Sequence, residues 1–256
     1  GGMSAALADH ASDEKVLGGT NVIIANDNGP KQVELAGSLQ HLSEAEATLA
    51  AAGITAQRLD VSTAFHSPLV ANAAKAFRDN IDPIAFRPQE IGVYSNATAS
   101  LYPSDPTSTA DLLAEQLARP VLFQSMIEQM YADGVRTFVE IGPSGALTPL
   151  VGGILGDREH RCVALERRGR NGAITFLEAV GTLAAIGLPI DVRPLFADMP
   201  PEPKAHAPKP HELILTGANY SKPYLTKRPS MLATPASTAG VHAATTSETK
   251  PASPTQ

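Results

Sequence analysis

Five residues with strong turn chemistry, Asn26-Asp27-Asn28-Gly29-Pro30, lie between two apolar runs, Val22-Ile23-Ile24-Ala25 and Gln32 to Ala36. This arrangement folds two strands back on one another: Asn, Asp and Gly tolerate the backbone angles of a reversal, and Pro fixes its own. A lone hairpin is marginal in water and needs further elements to cover it. The flanking sequence supplies them. Met3 to Ala8 is a short apolar segment and Asp9 to Gly18 is polar with helical character. Ser43 to Ala52 reads as a helix, with Ser43 and Glu46 at capping-box spacing and Gly53 as its stop. Gln57 to Val61 reads as a last strand.

Up to residue 62 the order is therefore β-α-β-β-α-β, a split βαβ or ferredoxin-like unit. Residues 63–196 read differently. Ser67 is placed to cap a helix with Pro68 at its first position, and Leu69, Val70, Ala73, Phe77 and Ile81 recur at helical spacing. Gly92 to Ser95 is a short strand; Ala110 to Leu117 and Phe123 to Ala132 are helical. Thr137 to Ile141 is a strand ended by Gly142-Pro143. A helix from about Ala146, a strand at Cys162-Val163-Ala164-Leu165 and a helix from Ala173 to Ile186 follow. Alternating helices and strands predict α/β layers with a parallel sheet. Residues 197–256 are rich in Pro, Ala, Ser and Thr and read as a mostly disordered linker, with a short docking segment at 211–224 around Leu213-Ile214-Leu215 and Tyr220.

Composition narrows the function classes. The net charge of −6 argues against a nucleic-acid partner, and the absence of tryptophan against large aromatic cages. A single cysteine, Cys162, rules out an internal disulfide and argues against a cysteine-based metal site; its apolar neighbours make it a buried strand residue. No signal peptide and no apolar stretch of membrane-spanning length is visible, so a cytoplasmic location is expected. The opening Gly1-Gly2-Met3 leads to the expectation that residues have been added or that the chain is cut from something longer.

The densest chemical signal is Ala64-Phe65-His66-Ser67-Pro68. A histidine after a strand and before a helix sits at a sheet edge, where α/β enzymes place reacting groups, and imidazole can accept a proton from a hydroxyl and return it. The same position also suits a helix cap. Gly142-Pro143-Ser144-Gly145 has the strand-to-helix context of a nucleophile elbow, but Ala146 stands where the elbow's last glycine belongs.

Taken in order, these segments resemble the malonyl-CoA:acyl carrier protein acyltransferase domains of polyketide and polyunsaturated fatty acid synthases. The resemblance rests on Gly2-Met3 followed by Ala5, on Asn28-Gly29-Pro30-Lys31-Gln32 with a strand ending at Gly37, and on the motif at residues 64–68. It continues through Ser95-Asn96, Gln116-Leu117 before Pro120-Val121, and Glu140-Ile141-Gly142-Pro143, covering residues 2 to 196. Gly187 followed by Ile190-Asp191-Val192 is similar to the family's closing segment, with Val192 where tryptophan is common. The tail after residue 197 resembles connectors of polyunsaturated fatty acid synthases.

The resemblance implies a small ferredoxin-like subdomain (1–62) and the C-terminal part of a larger α/β-hydrolase-like subdomain (63–196). It implies malonyl transfer from malonyl-CoA to the phosphopantetheine thiol of an acyl carrier protein through an acyl-serine, with no bound cofactor or metal. It makes His66 the general base and acid, Gln116 the source of the carbonyl that orients it, Phe65 a selector for malonyl over branched substrates, and Asn96, Asn28 and Gln32 residues near the substrate. The family's serine elbow is absent here: no Gly-x-Ser-x-Gly occurs in the chain. That leaves three readings: an incomplete transferase that is inactive alone and completed by an upstream half, a nucleophile-less scaffold that docks carriers, or, least favoured, a hydrolase using His66 and Ser144. The implied partners are that upstream half, a ketosynthase domain and the carrier protein, with no membrane.

Overall fold

The hairpin forms, but its turn is shorter than the sequence suggests. In the structure, a computed structural model that describes residues 1–198, strand β2 spans Ile23–Gly29 and β3 spans Gln32–Gly37, leaving Pro30 and Lys31 to reverse the chain. Asn26, Asp27 and Asn28 are strand residues, accommodated by irregularities between Ile24 and Asn26 and between Asp27 and Gly29. Their backbone stays extended because it has a partner on each side. The outer edge bonds Val121, with Val121 N–H to Ala25 O at 2.8 Å and Asp27 N–H to Val121 O at 2.9 Å.

β1 (Gly2–Ala6) and β4 (Ala56–Arg58) complete an antiparallel sheet of order β2-β3-β1-β4. Helices α1 (His10–Leu17) and α2 (Leu39–Ala51) cover one face through Ala6, Leu17, Val33, Leu35, Leu42, Ala45 and Leu49. The other face carries Met3, Ala25 and Ala36 and is closed by Ala64, which brings the His66 loop against the sheet. The expected capping box is corrected. α2 begins one turn earlier, with Ser38 accepting from His41 N–H at 3.1 Å. Ser43 lies inside the helix and donates to Leu39 O, while Glu46 forms a two-point pair with Arg58, Nε to Oε1 at 2.7 Å and Nη2 to Oε2 at 3.0 Å. The apolar series Leu42, Ala45, Leu49 sets the helix, and Ser38 is the first capping residue before it.

After the His66 loop, Pro68–Val70 make one 3₁₀ turn, and α3 is Ala71–Ile81. Leu69 is therefore not on the helix face as the spacing predicted and is 64% exposed. A two-stranded hairpin, β5 (Tyr94–Ser95) and β6 (Ser100–Leu101), precedes α4 (Pro106–Glu115). α4 starts earlier than read because Asp105 accepts from Ser108 N–H at 2.7 Å and Pro106 fits the first turn. α5 (Phe123–Ala132) matches the predicted span. β7 (Thr137–Glu140), α6 (Leu147–Leu155) and β8 (Arg161–Ala164) form a βαβ unit with parallel strands, Phe138 opposite Cys162. α5 and α6 share a core of Val121, Phe123, Met126, Ile127, Val151, Ile154 and Leu155. α7 (Gly172–Ala185) covers β8 through Val163, Ala179 and Leu183. Cys162 is half-buried, and burial pushes its thiol up, away from reactivity. Residues 199–256, with the expected docking segment 211–224, lie outside the described residues. Among the described residues no helix is long and apolar enough to cross a membrane.

Candidate active site

His66 is held in a backbone conformation that side chains seldom adopt, φ 58°. Three hydrogen bonds keep it there, all to the turn that ends α4. Its N–H donates to Leu117 O at 3.0 Å. Its Nδ1 lies 3.0 Å from Gln116 O and 3.2 Å from Arg119 O. A carbonyl oxygen can only accept, so Nδ1 carries the proton and Nε2 presents a lone pair in the neutral ring. That is the tautomer a general base needs. The next residue locks the loop: Ser67 is buried, donates to Ala64 O at 2.6 Å and accepts from Leu69 N–H at 3.2 Å.

Gln116 thus meets His66 through its main chain. Its side chain is used elsewhere, accepting from the Tyr102 hydroxyl at 2.9 Å. Phe65 is 43% exposed beside the histidine, an apolar ring left bare at the loop. Asn96 stands on the turn of the β5–β6 hairpin; its carbonyl accepts from Leu122 N–H at 2.8 Å, tying it to the same stretch that holds His66. Asn28 is buried and donates to Glu34 Oε1 at 3.0 Å. Burial pushes the Glu34 carboxyl up, opposed by that hydrogen bond and by the nearby His66. Gln32 pairs with Gly29 at the hairpin end, half-buried.

Ser144 is not brought to His66 by any hydrogen bond among the described residues. It is exposed, with φ 78°, in the loop between β7 and α6. The adjacent Glu140 has a different task. Its Oε1 accepts from Leu147 N–H at 3.0 Å, and its Oε2 from Thr148 N–H and Oγ1, each at 2.8 Å. Burial raises this carboxyl, but those donors outweigh it and hold it below the usual glutamate range. The carboxylate closes the first turn of α6, which explains why a glutamate precedes Gly142-Pro143.

A recess of about 280 Å³ beside the loop is lined by Ile23, Ala36, Gly37, His41, Ser67 and Leu69. A larger one, about 530 Å³, lies between β8 and α7 and shares no residue with the His66 site. Sequence reading missed Tyr102, the Arg119 carbonyl and Glu34. A backbone carbonyl leaves no side-chain signature, and Tyr102 and Glu34 sit in no pattern that would single them out.

The family model for the acyl transferase domain matches residues 1–187. Polyketide synthase GfsA of Streptomyces halstedii is 34% identical over 202 residues, 77% of this chain and 3% of that protein. The malonyl CoA-acyl carrier protein transacylase of Bacillus subtilis (strain 168) is 32% identical over 151 residues, 59% of this chain and 47% of the transacylase. The crystal structure of the acyltransferase domain from the second module of the salinomycin polyketide synthase superimposes with a TM-score of 0.68 at 29% identity, over 78% of this chain and 48% of that one. The chain spans about half of the transacylase and of the solved domain, and a small part of the synthase. With the family model covering most of the chain and the fold matching a solved acyltransferase domain, this chain belongs to the acyl transferase domain family.

Proposed function

We propose that this chain supplies the histidine-bearing half of a domain that moves a malonyl group from malonyl-CoA to the phosphopantetheine thiol of an acyl carrier protein. The observation that carries the reading is the pair of carbonyls at Nδ1 of His66, which leaves Nε2 as a base. Nε2 takes the proton of a serine hydroxyl as the serine oxygen attacks the thioester carbonyl; coenzyme A leaves as its thiol with that proton. In the second half-reaction Nε2 takes the carrier thiol's proton, sulfur attacks the acyl-serine, and the serine oxygen leaves with the proton.

The serine and its oxyanion donors belong, in this reading, to an upstream half. Two features support completion by further strands. The chain spans 48% of the solved domain, and β7 with its following residue leaves Val139 and Ile141 exposed, the latter by 80%. Residues 1–62 are then the small ferredoxin-like subdomain, 63–196 part of the larger one, and 197–256 a linker toward further domains of a synthase, a ketosynthase and carrier protein among its partners. Phe65 narrows the acyl pocket against an α-methyl branch, with Asn96 and, more weakly, Asn28 and Gln32 near the substrate.

Intact-mass measurement after incubation with malonyl-CoA tests this. A malonyl adduct is expected only when the chain is combined with an upstream half, on that half, and turnover should slow with His66→Ala. An adduct on this chain alone would place the nucleophile here, at Ser144 or another residue, and overturn the reading. No adduct in either sample would favour a nucleophile-less scaffold.

A further inference from the structure

All three hydrogen bonds that hold His66 come from residues 116–119, so the position of that turn sets the position of the ring. The turn's trailing end is fastened by main-chain bonds: Val121 N–H to Ala25 O, Asp27 N–H to Val121 O, and Leu122 N–H to Asn96 O. Its leading end continues α4, with Gln116 N–H to Leu112 O at 3.1 Å and Ala118 N–H to Glu115 O at 3.0 Å. Helix ends fray, because their last carbonyls lack partners within the helix. The Gln116 carbonyl, one of those unpaired groups, is the nearer of the two facing Nδ1.

One side-chain bond ties that fraying end to a separate element. The Tyr102 hydroxyl donates to Gln116 Oε1 at 2.9 Å. Tyr102 is itself fixed, since its N–H donates to Val93 O at 2.8 Å across the β5–β6 hairpin. The next residue is fixed too, Pro103 O accepting from Thr109 Oγ1 at 2.8 Å. Tyr102 and Gln116 are both half-buried, which shields the bond from competing water.

We infer that Tyr102 is a positioning residue for His66: by holding the Gln116 side chain it fixes the carbonyl that keeps the ring in its Nδ1–H form. The inference rests on the reading of His66 as a base, because tautomer matters only to a group that must offer Nε2. A hydroxyl removed at residue 102 frees the Gln116 side chain, the last turn of α4 loosens, and Nδ1 keeps only the longer bond to Arg119 O. The ring then also populates the Nε2–H form, which has no lone pair at Nε2 to accept a proton.

The test reads the tautomer directly and needs no turnover. The ring ¹⁵N shifts of His66 are measured in the full chain with the imidazole neutral. The native ring should show a protonated-type Nδ1 and a lone-pair-type Nε2. In Tyr102→Phe the two shifts should move toward each other, and Gln116→Leu should do the same, with no further change in the double variant. Tyr94→Phe removes a hydroxyl that bonds Asp133 from the same hairpin and should leave the shifts as in the native chain. Unchanged shifts in Tyr102→Phe overturn the inference, as does an equal response to Tyr94→Phe. Should Tyr102→Phe fail to fold, Gln116→Leu decides in the same way. Once the chain is combined with an upstream half, Tyr102→Phe should lower kcat about fivefold with KM unchanged, the scale of one net hydrogen bond. Shifts that respond as expected in a chain that never supports malonyl transfer would keep Tyr102 as the ring's support and sink the functional reading alone.

Discussion

Nδ1 of His66 lies 3.0 Å from the main-chain carbonyl of Gln116, not from its side-chain amide. Any residue at position 116 offers a main-chain carbonyl. His66→Ala should therefore cost far more than Gln116→Ala. In the completed domain we expect His66→Ala to slow acyl transfer by roughly 10²–10⁴-fold, the range for a general base. Gln116→Ala should slow it by about tenfold or less, since only the turn's support is lost. Single-turnover transfer rates check the ratio; equal losses would mean the amide itself acts in the reaction.

Asp13 is fully buried on the sheet-facing side of α1, and neither of its carboxylate oxygens has a hydrogen-bond partner among the described residues. Burial raises its pKa, Asp9 adds to this, and His10 opposes it. A carboxyl whose pKa is higher folded than unfolded favours the folded state while protonated. Stability is lost as the pH rises from the ordinary value of 3.8 through the raised one. Asp13→Asn should abolish that loss, and Asp13→Leu should raise stability at pH 7 by about 1–3 kcal/mol, the cost of an unpaired buried polar group. Thermal unfolding of the three proteins at pH 5 and pH 7 measures it; a less stable Asp13→Leu would show that the carboxyl has a partner.

Much of this architecture was legible because apolar residues recur at the periods that elements require. Phe123, Met126 and Ile127 gave α5 its span, and Phe138 and Cys162 lie on strands that pair directly. Two of the errors share one cause: local chemistry overridden by a distant partner. Asn26 to Asn28 look like a turn, yet the main chain of Val121 keeps this edge extended. Ser43 and Glu46 look like a capping pair, yet Arg58 claims the glutamate and Ser38 takes the cap. At the site, His66 stood out because it is an ionisable side chain at a strand–helix junction. The carbonyl of Gln116 was expected only through the family resemblance, and that of Arg119 not at all, since a peptide oxygen looks the same at every position.

The carboxylate of Glu140 meets three donors at the start of α6, so Glu140→Gln should weaken that cap and Glu140→Ala remove it. For Glu140→Ala we expect about 1 kcal/mol of lost stability, a usual cost for a lost helix cap. The loss should be local. Amide exchange of Leu147 and Thr148 should quicken, while α5 and the β1–β4 sheet keep their protection. Uniformly faster exchange would mean that Glu140 supports the whole unit.

Phe65 tests substrate choice without touching the base. It directly precedes His66 and leaves 43% of its surface exposed, which leaves the ring free for the proposed role as a wall of the acyl pocket. In the proposed reading the acyl group sits on the serine that Nε2 deprotonates, with its α-carbon near that ring, and a methyl branch there would have to displace it. Replacing the ring by a smaller side chain relieves the clash but adds no new attraction for malonyl. Phe65→Ala should therefore raise kcat/KM for methylmalonyl-CoA relative to malonyl-CoA by about tenfold in the completed domain, since one methyl is worth about 1–3 kcal/mol of discrimination. The ratio should change mainly through the branched substrate, because malonyl loses only packing against an already half-open ring. Competition between the two thioesters, read by mass of the acylated carrier, gives the ratio in one experiment. A ratio unmoved by Phe65→Ala would mean that the ring packs outside the acyl pocket and that selectivity is set by residues of the other half.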